Sequence, residues 1–254
     1  MSGSPLDSLA LVALDDLVLH EQIEPARGAR LKQEIARSEV LADPIVVTAT
    51  GSGRWLVLDG AHRTVALREL GLRAAVVQVM ALSPTGARLD SWSHDLPRDA
   101  IPVGLDGPGP IGGAALVATV ERIDGTGRWS DPIAVTGPSE PGSRAMVTTA
   151  VARRYAALPY VRAVPGSPAH PGSGARVTWT PWSAADLVHL VEAGITLPPG
   201  TTRFVLPGRV LGVRVGLSML VAEPADVPPG VIEGLRGQAV RTYTELVHVV
   251  EAGS

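Results

Sequence analysis

The chain has 254 residues, a net charge of −3 and no cysteine. Disulfides, thiolate metal sites and cysteine nucleophiles are therefore excluded, and the acidic balance argues against the basic face that non-specific DNA binding requires. Composition is 45% hydrophobic but only 4% aromatic, so the core must be built from Val, Leu, Ile and Ala, in one large domain or two small ones. Lys32 is the only lysine. No Walker-type Gly-rich loop with its lysine occurs, nor a protein-kinase signature set; a chain like this would handle phosphate with Arg, His, backbone N–H groups and a metal. Nothing near Met1 reads as a signal peptide and no apolar run reaches the length of a membrane span. The expected setting is the cytoplasm, with no membrane and no nucleic-acid partner.

In chain order, residues 12–19 predict a first strand, confined to 17–19 if Asp15 and Asp16 interrupt it. Pro25 stands where a helix accepts a proline at its first position, and 27–37 follow as a helix burying Leu31 and Ile35. Asp43-Pro44 breaks the chain. Residues 45–48 and 55–58 predict strands flanking the turn Gly51-Ser52-Gly53. The second runs directly into Asp59-Gly60, a helix follows over 61–70, Gly71 stops it, and 74–80 predict another strand. Residues 81–113, rich in Pro, Gly and Asp, are expected to be a linker with a functional turn around Trp92. Beyond it come strands at 114–120, 133–135, 176–179 and 203–206 and helices at 145–157, 183–193 and 231–252. The last is amphipathic through Leu235, Val240, Tyr243, Leu246 and Val250. It could pack on its own domain or on a second subunit, which leaves a homodimer open.

Leu58-Asp59-Gly60-Ala61-His62-Arg63 is the strongest local signal. A helix N-terminus attracts phosphate through free N–H groups and its dipole, and glycine lets an anion approach the backbone. His62 and Arg63 oppose the dipole there, which a bound anion would explain; alternatively Asp59 is an N-cap and Arg63 is solvated. Glu21, between a strand and a helix, could act as a base on an alcohol or lie in a solvated loop. Leu197-Pro198-Pro199-Gly200-Thr201-Thr202-Arg203 could bind phosphate oxygens or be an ordinary turn into a strand. Trp92 could wall a small-ligand site or pack on its own domain. No pair of histidines has zinc-ligand spacing.

Taken together, these residues resemble the free L-serine kinases of the ParB/sulfiredoxin superfamily. The resemblance rests on "HE" before the first helix, "DPIVV", "WLVLDGAHR", "TVALRELGL", Trp92 and "TTRF". It implies an α+β fold: a ParB/sulfiredoxin-like nucleotide-phosphate domain over 1–85, a second mixed α/β domain over 86–254, and an active site in the cleft between them. It implies phosphorylation of free serine by ATP or ADP with Mg²⁺. Glu21 would be the base, Asp59 would position the hydroxyl or the metal, and His62 would join them in catalysis. Gly60, Ala61, His62, Arg63, Thr64, Thr201, Thr202 and Arg203 would bind the nucleotide phosphates, and Trp92 with His94 would line the serine pocket. The metal would be held chiefly through the phosphates. The family often has histidine where this chain has Ala61. The rival readings are a ParB-like nucleotide- or DNA-binding regulator, a kinase for another serine-like alcohol, and a non-catalytic binding module.

Overall fold

A computed structural model describes residues 4–98, 115–123 and 128–242, and the backbone of 247–250. Leading strands and helices follow the apolar pattern closely. They are β1 (Leu9–Ala13), β2 (Leu17–Leu19), α1 (Pro25–Ser38), β3 (Val40–Leu41), β4 (Ile45–Ala49), β5 (Trp55–Asp59), α2 (Ala61–Glu69) and β6 (Ala74–Val79). The expected strand over 12–19 is cut in two by a 3₁₀ turn, Leu14–Asp16. Asp15 and Asp16 sit on that turn, where they remain solvated. β1, β6, β4, β5 and β2 form one mixed sheet in that order, with β2 parallel to β5 and β4 antiparallel to β5. Pro25 opens α1 as expected, and Gly71 takes φ 75° just past α2.

The chain then runs through β7 (Arg88–Ser91), β8 (Ser93–Pro97), β9 (Ala115–Arg122), β10 (Ile133–Gly137), α3 (Pro141–Arg153), β11 (Val161–Ala163), β12 (Ser173–Trp179) and α4 (Ala184–Glu192). β10, β9, β12, β8 and β11 form a fully antiparallel sheet. The expected linker is thus partly wrong. Its described residues contain β7 and β8, and Ser93, His94, Asp95 and Leu96 are all buried. Polar residues can occupy an interior strand when each finds a partner: Asp95 takes both Nε and Nη2 of Arg176, at 2.6 and 2.9 Å. Residues 99–113 of that expectation lie outside the described set.

The remaining elements are β13 (Thr202–Val205), β14 (Arg209–Leu211), β15 (Val215–Gly216), α5 (Gly230–Arg236), β16 (Val240–Thr242) and β17 (Val247–Val250). The long C-terminal helix expected over 231–252 is not formed. α5 stops before Gly237, and β16 pairs antiparallel with β17, which pairs parallel with β14. Val240 and Thr242 are β-branched and suit a strand. Tyr243 and Leu246 lie outside the described residues.

Two compact units result, and they are not consecutive halves. One draws on the chain up to Leu19, on Ile23–Arg88 and on Phe204 onward; the other draws on His20–Gln22 and Leu89–Arg203. Division at 85/86 misplaces the C-terminal segment because its apolar residues have no core of their own. Val210, Val213, Val215, Leu220, Val227 and Leu235 are buried with Leu9, Val47, Val57 and Val77. The second unit has a separate core around Leu96, Val117, Val120, Tyr155, Val177 and Trp179. Among the described residues no helix is long and apolar enough to cross a membrane.

Candidate active site

The second unit holds the Glu21 carboxylate in a clamp. Backbone pairing of Gln22 N–H to Leu197 C=O and of Leu197 N–H to His20 C=O lays Glu21 beside the turn that follows Leu197. Gly200 takes φ +76° there, and a Cβ on it would run into the Arg162 guanidinium. This backbone aims two N–H groups at the carboxylate: Gly200 N–H reaches Oε2 at 2.7 Å and Thr202 N–H reaches Oε1 at 2.6 Å. Thr202 Oγ1 donates to Oε1 at 2.5 Å, and Thr201 Oγ1 lies 3.3 Å from the same oxygen. Because the threonine's single hydroxyl proton goes to the carboxylate, His20 Nε2, 2.8 Å from Thr202 Oγ1, must be the donor there. Glu21, Thr201 and Thr202 are therefore brought together, although the two threonines were expected on phosphate rather than on a carboxylate.

The first unit arranges its carboxylate differently. Asp59 ends β5 and its Oδ2 accepts from Arg63 Nη2 at 2.8 Å and from Arg209 Nη2 at 2.7 Å. The N-cap of α2 is Gly60 at φ 101°, with no side-chain cap, so Asp59 is not the capping residue. Arg63 is not solvated either. Its Nη1 donates to the carbonyls of Asp43 and Pro44 at 3.1 and 2.8 Å, and its guanidinium folds back over Gly60, where a Cβ would crowd it. Thr64 is fully buried and returns its hydroxyl to the Gly60 carbonyl at 3.1 Å, which turns it away from any phosphate. His62 Nε2 accepts from Glu24 N–H at 3.2 Å, so that nitrogen carries no proton in this arrangement. Ala61 contributes only a methyl group to the first turn of α2.

Arg203 follows Thr202 on β13, and consecutive strand residues face opposite ways. Thr202 meets Glu21, whereas Arg203 Nη1 donates to Asp90 at 2.9 Å and its guanidinium lies 5.2 Å from the Trp92 ring centroid. Trp92 is half-buried beneath it. His94, expected in the wall of a substrate pocket, is 1% exposed. Nε2 lies 2.7 Å from the Gly200 carbonyl, and Nδ1 lies 2.7 Å from the Tyr155 hydroxyl and 3.4 Å from Trp179 Nε1. Burial pulls the His94 ring down to about 4, against the opposite pull of the Gly200 carbonyl. Burial also holds the Tyr155 hydroxyl well above its ordinary value.

Arg209 and Tyr160 were not singled out from the sequence, and His20 was noted only as the first residue of the "HE" pair. Arg209 follows Gly208, another positive-φ glycine, but a lone arginine 150 residues beyond its partner leaves no local signal. Its Nε is buried without an acceptor among the described residues.

No protein-family model matches the chain. It is 28% identical over 96% of its length to the ATP-dependent L-serine kinase SbnI of Staphylococcus aureus, of which it covers 98%. Its structure is similar to that of SbnI with a C-terminal truncation from the same organism, with a TM-score of 0.72, 26% identity, and coverage of 91% and 95% of the two chains. A mutant free serine kinase in complex with ADP shares the fold, with a TM-score of 0.64, 15% identity, and coverage of 87% and 95%.

Proposed function

We propose that this chain transfers the γ-phosphoryl group of ATP to the hydroxyl of free L-serine, giving O-phospho-L-serine and ADP. The observation that carries this reading is the clamped Glu21 carboxylate, on a chain similar from end to end to an ATP-dependent L-serine kinase. Donor choice follows from that relative's name. The serine oxygen bonds to the γ-phosphorus while the bond to the β–γ bridging oxygen breaks, and ADP keeps the electron pair. The hydroxyl proton passes to Glu21. Oε1 already accepts from Thr202 N–H and Oγ1, whereas Oε2 accepts only from Gly200 N–H, so Oε2 is the atom with a lone pair to receive it. Transfers of this kind depend mostly on alignment and charge neutralisation, and a positioned base adds roughly 10²–10⁴-fold.

The nucleotide phosphates would lie at the start of α2. Its first-turn N–H groups have no side-chain cap, and two guanidiniums share one carboxylate there, leaving one net positive charge for an anion. Trp92 would wall the serine site with Arg203 stacked on it, and Thr64 and His94 drop out of the contact set. Among the described residues no cluster of three metal-ligating side chains occurs, and Asp59 has its Oδ2 committed to two arginines. Mg²⁺ would have to arrive on the nucleotide's phosphates, a usual mode for this ion, and no step is assigned to it.

Incubating the protein with L-serine and either ATP or ADP, with and without Mg²⁺, and detecting O-phosphoserine by mass tests the proposal. Product with ATP that is lost by 10²-fold or more in Glu21→Gln, with nucleotide affinity kept, is expected. Full turnover in that variant would remove Glu21 from the mechanism. Absence of product from the wild-type protein with either nucleotide would overturn the serine kinase.

A further inference from the structure

The turn that clamps Glu21 is held from its other side. A trans peptide points its C=O and N–H in opposite directions, so whatever grips the carbonyl also aims the N–H. Pro199 C=O and Gly200 N–H belong to one peptide. Tyr160 O–H donates to that carbonyl at 3.2 Å, and Glu21 Oε2 receives that N–H at 2.7 Å. The next peptide begins with Gly200 C=O, which lies 2.7 Å from His94 Nε2. A carbonyl only accepts, so Nε2 carries the proton, and Nδ1 accepts from the Tyr155 hydroxyl at 2.7 Å. The His94 and Tyr160 rings stack at 4.2 Å with 23° between their planes. Two stacked rings thus fix two successive peptide planes at a glycine whose φ of +76° gives the backbone freedom to flip.

We propose that His94 and Tyr160 are a pair of positioning residues that lock the Pro199–Thr201 peptides and thereby set the orientation of the Glu21 carboxylate. Neither touches substrate. Their effect on turnover rests on Glu21 acting as proposed above; their effect on the turn does not. Tyr155 serves the same arrangement one step further out, by holding His94 in the tautomer that donates at Nε2.

Three variants separate positioning from mere packing. Tyr160→Phe keeps the ring stack and removes the hydroxyl. His94→Phe keeps an aromatic ring and removes the donor. His94→Gln restores a side-chain N–H donor at nearly the same reach. Two readouts are taken: steady-state kinetics for O-phosphoserine formation, and hydrogen exchange of the Gly200 and Thr202 amides, which needs no activity. Expected are a fall in kcat of about 10- to 100-fold for the two Phe variants, with KM for serine and ATP unchanged, faster exchange at both amides, and recovery of most of both in His94→Gln. Unchanged exchange in both Phe variants overturns the lock. Loss of kcat, KM and thermal midpoint together, in His94→Gln as much as in His94→Phe, overturns positioning in favour of a packing role. Faster exchange in a protein whose wild type makes no O-phosphoserine leaves the lock standing and removes the kinase reading with the catalytic half of this one.

Discussion

Two carboxylates, one in each compact unit, are held in opposite ways. Glu21 is gripped by neutral donors: two backbone N–H groups and the Thr202 hydroxyl. Asp59 is gripped by two guanidiniums on a single oxygen. Neutral donors orient a carboxylate and favour its ionised form without adding a cation. Cations compensate the charge and leave a positive excess, which suits a place that must attract an anion. The same functional group is thus oriented by neutral dipoles in one unit and paired with cations in the other.

The largest effect that sharpens this contrast is on stability and belongs to the Glu21 side. His94 is pulled from about 6.5 to about 4 by burial. Below pH 6.5 the unfolded chain takes up the proton first, so the contribution is complete above that pH and is lost as pH falls toward 4. A loss of about 3 kcal/mol across that window is expected. Urea unfolding at several pH values checks it, and His94→Phe should remove that part of the slope. If the slope survives in the variant, the neutral buried imidazole is not its source.

Next in size is Gly200→Ala. It forces a side chain into a positive-φ position occupied on one side by the Arg162 guanidinium. About 2 kcal/mol of stability and most of kcat should go, with KM for ATP unmoved. A rise in KM for ATP instead would break the division of labour between the two carboxylates.

Arg209→Gln tests the other side. It removes one of the two cations on Asp59 and should raise KM for ATP about tenfold, the size of one charge-assisted bond, with kcat kept. Steady-state kinetics over a range of ATP concentrations decides, and a loss confined to kcat would move Arg209 out of the nucleotide site. Smallest is Glu69→Ala, which breaks the half-exposed Lys32–Glu69 pair. It should cost less than about 0.5 kcal/mol by denaturant midpoint and leave both kinetic constants alone; a larger effect would mean that charges on α1 and α2 reach the phosphate site.

Legibility in the sequence followed the range of the interactions. β4, β5, α1, α2 and β6 were read nearly to the residue, because each is set by a local apolar period, a proline at a helix start or a glycine at its end. β8 was missed because its buried polar run, Ser93-His94-Asp95, looks like a loop until Arg176 and Gly200 supply the partners. The C-terminal helix was wrongly expected because Leu235, Val240, Tyr243, Leu246 and Val250 recur roughly at helical spacing, while the pairing of β17 with both β14 and β16 is invisible locally. Within the candidate site, Glu21, Asp59, Gly60 and Arg63 stood out by residue type and place. Thr201 and Thr202 did too, and the structure sets both beside the Glu21 carboxylate.

By itself, then, the sequence determined the leading strands and helices, the absence of thiol chemistry, and a resemblance to serine kinases. Only the tertiary structure decided that Thr202 serves Glu21 across 181 residues, that Arg209 shares Asp59 with Arg63, and that His94 supports a turn where a pocket wall was expected. Local propensity acts over a few residues and leaves a periodic trace. A hydrogen bond between distant segments depends on where the whole chain has packed, and no pattern along the chain records it.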